Sequence, residues 1–112
     1  MSVESLGDLV VALRLDAQAI PGLRLLVLHG SRARAEAQPG SDWDFAYQSN
    51  AAFDPDALLA SLADRLNADR IDLVHLDRAG ALLRYRVARD GVTIFERTSG
   101  DFERFWLASV DA

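Results

Sequence analysis

Two aspartates one residue apart, Asp42 and Asp44, alternate with the aromatic residues Trp43, Phe45 and Tyr47. Period-two alternation over Asp42 to Tyr47 is strand patterning, which puts both carboxylates on one face and the rings on the other. Like charges on one strand face repel each other, and a cation between them removes the cost. Mg²⁺ takes one or two carboxylates together with phosphate oxygens, which is the donor set available here. A solvated acidic loop edge is the plainer alternative, but a strand with Trp43, Phe45 and Tyr47 on its reverse side is an unusual place for one. The 112 residues contain no cysteine, so a disulfide or thiolate metal site is excluded and hard, oxygen-seeking cations come first.

Upstream runs Leu28-His29-Gly30-Ser31-Arg32-Ala33-Arg34, a strand end followed by a Gly-Ser turn and two arginines. Gly30 lets the backbone approach a ligand without a Cβ in the way. Ser31 adds a hydroxyl where a helix can begin and present its N–H groups to a phosphate. Arg32 and Arg34 can neutralise further phosphate charge. A Gly-Ser pair after a strand is also the make-up of an ordinary turn with a helix cap. His29 and His75 read as packing or hydrogen-bonding histidines. Phe102, Phe105 and Trp106 form an aromatic stripe at helical spacing that reads as the core face of a last helix.

These groups need a scaffold, and the apolar pattern supplies one. Val3, Leu6, Leu9, Val10, Leu13, Ala17 and Ile20 recur at helical spacing before Pro21-Gly22. Leu23 to Leu28 is an almost continuous apolar run that suits a buried strand. A small, polar stretch from Gly30 to Ser41 leads to the aspartate strand. Asp54-Pro55 opens a helix with Leu58, Leu59, Leu62 and Leu66 on one side, and a third strand spans Ile71 to Leu76. A helical segment from Ala79 to Arg89, a turn at Asp90-Gly91, a strand from Val92 to Phe95 and a helix from about Asp101 to Val110 complete the chain. Strands alternating with helices predict an α/β layered domain with helices on a central sheet, and 112 residues fit one domain spanning 1–112.

Net charge is −5, and all twelve basic residues are arginines spread along the chain. Stable binding to long nucleic acid is therefore disfavoured. The opening MSVESLGDL lacks the charged leader and apolar run of a signal peptide, and no stretch approaches the roughly 18 apolar residues of a membrane span. A cytoplasmic protein without membrane contact is the expectation.

Gly30-Ser31, ten intervening residues, and Asp42-Trp43-Asp44 together resemble the Gly-Ser-x10-Asp-x-Asp signature of the nucleotidyltransferase superfamily, which includes DNA polymerase beta. The wider run HGSRARAEAQPGSDWDFAY looks like the minimal nucleotidyltransferases of bacteria and archaea, and the likeness extends from the first helix through DGVTIFER. It implies a small mixed sheet flanked by helices and a third carboxylate on a later strand. Asp72 matches that position, favoured over Asp69 and Asp77 by its strand setting, although a strand-edge aspartate also commonly caps a turn. His75, on the same strand, falls on the face opposite Asp72.

By resemblance, Asp42 and Asp44 would bridge two Mg²⁺ ions about 3.5–4 Å apart, with Asp72 on the ion nearer the acceptor. ATP would be the donor, and Gly30, Ser31, Arg32, Arg34 and Ser41 would form its binding loop. Minimal nucleotidyltransferases often act as antitoxins beside a HEPN-domain RNase toxin, adenylylating one of its tyrosines. This resemblance therefore implies AMP transfer to such a partner. Two other readings stay open: an antitoxin that works by binding alone, and an enzyme that modifies a small molecule or nucleic-acid end. Ala35 stands where glycine is frequent and Trp43 where a branched aliphatic residue is usual. Neither departure removes a catalytic group.

Overall fold

In the computed structural model, residues 6–110 are described. Val3, the first apolar position assigned to the opening helix, lies outside them. Five helices and four strands follow in the order α1 (Leu6–Gln18), β1 (Leu23–His29), α2 (Gly30–Ala33), β2 (Trp43–Ser49), α3 (Pro55–Leu66), β3 (Ile71–His75), α4 (Ala81–Asp90), β4 (Val92–Glu96) and α5 (Asp101–Val110). A short 3-10 turn, Leu76–Arg78, links β3 to α4. The boundaries follow local chemistry. Asp54 caps α3 by accepting the Asp56 N–H at 3.0 Å, and Pro55 occupies the first turn, where its missing N–H costs nothing.

The sheet runs β3-β2-β1-β4. β1 is antiparallel to both β2 and β4, while β2 and β3 are parallel, so the sheet is mixed as expected. Alternation sorts side chains between two cores. Leu26, Leu28, Phe45 and Tyr47 pack with Leu13 and Ala17 of α1 and Leu58 and Leu62 of α3. On the other face Leu25, Val27 and Ala46 pack with Val87 of α4 and Phe105 of α5. The result is a three-layer sandwich in which β1 is buried on both faces from Leu25 to Leu28, which explains an apolar run broken only by the exposed Arg24.

Two expectations shift. Asp42 precedes β2 because the ladder begins at Trp43, whose N–H donates to the Arg70 carbonyl at 2.8 Å. Trp106 is not a core residue. Phe105 is buried and Phe102 half-buried, but Trp106 lies about 100° farther round the helix and is 40% exposed. No helix among the described residues is long and apolar enough to cross a membrane.

Arg97, just past β4, ties the layers together. Its Nε donates to the Leu23 carbonyl at 3.1 Å, Nη1 to Gln18 at 3.1 Å and Nη2 to Ile20 at 3.0 Å. One planar fork thus reaches carbonyls at the end of α1, in the following turn and at the start of β1, while lying over the Phe95 ring at 4.7 Å. Arg97→Ala should lower unfolding free energy by about 1–3 kcal/mol, a range that allows for its solvent exposure. Arg97→Lys should recover little of this, because an ammonium cannot span three carbonyls in one plane. Urea unfolding midpoints check both; full recovery by lysine would show that charge alone matters.

Candidate active site

Strand register assembles the carboxylates. Asp44 pairs with Asp72 across the parallel β2–β3 ladder and with His29 across the antiparallel β1–β2 ladder. Because opposite residues in register share a face, Asp44 and Asp72 stand side by side on the face carrying α4 and α5. Those helices pack over β1 and β4, which leaves the beginning of β3 open, and Asp72 is exposed. Asp42 sits at the mouth of this site, 52% exposed, with Arg70 at 4.0 Å.

Burial pushes the Asp44 carboxyl above its ordinary value, the charges of Asp72 and Asp42 push it further, and it shares a hydrogen bond with Asp72. Asp42 and Asp72 are therefore both within electrostatic reach of Asp44. His29 moves downward, chiefly through burial, and is neutral at pH 7; its Nε2 is buried without a hydrogen-bond partner. Residue pattern makes His29 a packing or hydrogen-bonding histidine, whereas register makes it the neighbour of the central carboxylate. Thirteen residues separate β1 from β2, so no turn rule could have revealed that pairing. His75 behaves as expected, packing at a tilt against the Tyr47 ring at 4.9 Å and accepting the Asp77 N–H.

Gly30 adopts φ 72°. A Cβ there would run into the Asp44 carboxylate. Glycine is thus required twice, for its left-handed backbone and for the approach of the carboxylate to the chain. Ala35, at φ 59°, holds a similar conformation with a methyl group present. That costs about 1–2 kcal/mol, which glycine would avoid.

The residues expected to bind a donor divide between two clefts. Arg32 stacks over Trp43 at 4.1 Å and donates to the Ser41 carbonyl through Nη2 at 2.8 Å. The Ser41 hydroxyl in turn accepts the Gln38 N–H at 2.8 Å. Arg32 and Ser41 thereby brace the loop and line a cleft of about 360 Å³ against the α3–β3 turn. Arg34 turns the other way, and with Gly30 and His29 it lines a cleft of about 170 Å³ against α4. Ser31, half-buried, lies between them in α2.

The chemistry of the three carboxylates would fit a hard divalent cation, and the raised Asp44 carboxyl is the one whose charge such a cation would relieve. Among the described residues no group of three acidic or histidine side chains is arranged to hold a metal ion by itself. Mg²⁺ does not need one, since it keeps waters and takes substrate phosphate oxygens.

Folded Asp44 holds its proton more tightly than it would in the unfolded chain. Its contribution to stability is therefore present below pH 3.8, the ordinary value, and is lost as pH rises through the raised folded value. Asp44→Asn should consequently have a higher thermal midpoint than wild type at pH 7 in chelator, with the gap closing below pH 3.8. Melting curves at matched pH test this, and a less stable variant at pH 7 would contradict the assigned repulsion.

Comparison with known proteins bears on the whole arrangement. The profile of the polymerase beta nucleotidyltransferase family matches residues 17–100. A protein adenylyltransferase MntA from Aphanizomenon flos-aquae (strain 2012/KM1/D3) is 37% identical over 77% of this chain, and the match spans 65% of the relative's length. A crystal structure of a toxin–antitoxin with AMP-PNP superposes with a TM-score of 0.71 at 28% identity, covering 96% of this chain and 86% of that one. A tri-AMPylated Shewanella oneidensis HEPN toxin in complex with MNT antitoxin gives 0.62 at 28% identity, covering 91% and 78%. Register, glycine loop and family profile agree, and the chain belongs to the polymerase beta nucleotidyltransferase family.

Proposed function

We propose that this chain is a single-domain Mg²⁺-dependent protein adenylyltransferase, an antitoxin that transfers AMP from ATP to a tyrosine of a HEPN-domain toxin. The observation that carries this reading is the register match of Asp44 with Asp72, with Asp42 beside them and Gly30 against Asp44. The adenylyltransferase relative supports the reaction. The AMP-PNP and tri-AMPylated toxin structures support donor, product and partner. ATP and the toxin are components of the cell interior, so the pair works in the cytoplasm.

Asp42, Asp44 and Asp72 would hold the metal. Bound there, Mg²⁺ supplies charge neutralisation at the reacting phosphoryl group and at the departing diphosphate. The chain's own residues do the rest. Asp72, exposed on β3, faces the open side from which an acceptor arrives, and it takes the acceptor's hydroxyl proton. Gly30 and Ser31 bring the backbone against the donor's phosphates, while Arg32 and Ser41 keep the loop in shape. The open site also leaves room for a protein acceptor beside Asp72.

Incubation with the purified toxin, ATP and Mg²⁺ should add one or more adenylyl mass increments to a toxin tyrosine and suppress its nuclease activity. Asp44→Ala should reduce transfer by at least about 10³-fold, since it removes the central ligand. An unmodified toxin after incubation with wild type would overturn the proposal. Neutralisation that survives an Asp42→Asn, Asp44→Asn double change would assign it to contact alone. Transfer to a small molecule or nucleic-acid end in preference to the toxin would reassign the acceptor.

A further inference from the structure

α4 contributes an arginine to the site that no sequence motif marks. Arg86 joins His29, Gly30, Arg34, Leu83 and Asp90 around the cleft of about 170 Å³ between the end of β1 and α4. We infer that Arg86 is a further donor-binding residue, pairing with Arg34 to hold the diphosphate that leaves when AMP is transferred. This rests on the nucleotidyltransferase reading above.

Position is the first argument. Gly30 lines this cleft and also touches the Asp44 carboxylate through the space its missing Cβ leaves. A phosphate chain whose reacting phosphorus lies at the aspartates therefore passes Gly30 to enter it. Charge is the second. Asp90 is held by Arg89 through contacts of 3.0 and 2.7 Å, which offsets its charge. Glu36, which pairs with Arg34 at 3.1 Å, is 63% exposed and readily exchanged for a better anion. What remains is a surplus of positive charge from two different elements, in a chain of net charge −5.

Arg86 is also free to take a ligand. Of the α4 arginines, Arg84 lies over Phe105 and Arg89 is engaged by Asp90 and Tyr85. Arg86 has no hydrogen-bond or ion-pair partner among the described residues. In the transfer, a bond forms between the acceptor oxygen and the α-phosphorus. The bond from that phosphorus to the bridging oxygen breaks, and its electron pair leaves on the diphosphate. The acceptor's proton passes to Asp72 and then to water. Negative charge thus grows on the leaving group, where two guanidinium forks match phosphate oxygens and stabilise the transition state more than bound ATP.

Equilibrium binding in Mg²⁺ to ATP, inorganic diphosphate and AMP tests the assignment. Arg86→Ala should weaken ATP and diphosphate about tenfold and leave AMP unchanged, as loss of a charge-assisted hydrogen bond requires. Arg84→Ala on the same helix should bind all three like wild type. Should Arg86→Ala lower the thermal midpoint, Arg86→Lys carries the test, because a structural defect weakens AMP as well, whereas loss of the fork weakens diphosphate selectively. Wild-type diphosphate affinity in both Arg86 variants, with ATP bound normally, overturns this inference alone. Wild type that binds neither ATP nor diphosphate overturns the nucleotidyltransferase reading itself.

Discussion

The site depends on two carboxylates being held side by side against their own repulsion. Asp44 and Asp72 face each other across a parallel ladder, and Asp44 is partly buried as well, so the sheet keeps a charge where the isolated chain would not. That requires β2 to be fixed by something stronger, and the reverse face provides it. Phe45 and Tyr47 are buried against α1 and α3, and Trp43 stacks with Phe45. Burying one large side chain stabilises by about 1.5–3 kcal/mol, so the aromatic face outweighs the repulsion of a half-solvated pair. Trp43, unusual at its position, thus reinforces the anchor and also provides the surface on which Arg32 rests.

What could be read from sequence divides along the same line. Asp42-x-Asp44 was legible because strand alternation is local, and the glycine at 30 because it stands at a strand end before a serine. The identity of Asp72's neighbour was not legible from residue pattern alone. Strand order places β3 beside β2 through a crossover containing α3, and a one-residue slip in register would have turned Asp72 to the other core. The same non-local pairing hid His29, which only the β1–β2 register brings against Asp44. Alternation likewise put His75 on the opposite face from Asp72, where it packs with Tyr47.

The two arginines of the loop show where motif reading stops. Arg32 and Arg34 are two residues apart and look equivalent as phosphate ligands. α2 is one turn long, so the two leave it in different directions. Arg32 is taken up by Ser41 and Trp43, while Arg34 joins α4. One therefore shapes the loop and the other faces the cleft beside Gly30. A spacing rule for charge cannot separate these roles, because the choice is made by a tryptophan eleven residues downstream and by a helix near the other end of the chain.

The exposure of the site then bears on what the chain leaves to others. Asp44 is shielded by the sheet, His29 and the glycine loop, but Asp42 and Asp72 remain open to water. Electrostatic stabilisation is stronger where water is excluded, so a centre this open works at a disadvantage until something covers it. The helices α4 and α5 cannot do so, because they are committed to β1 and β4 through Val87 and Phe105. An acceptor protein seated over the start of β3 would supply the cover, exclude water around Asp72 and bring its hydroxyl in the same step. On the function proposed above, the open face would couple chemistry to recognition, the centre reaching full strength when its acceptor closes it.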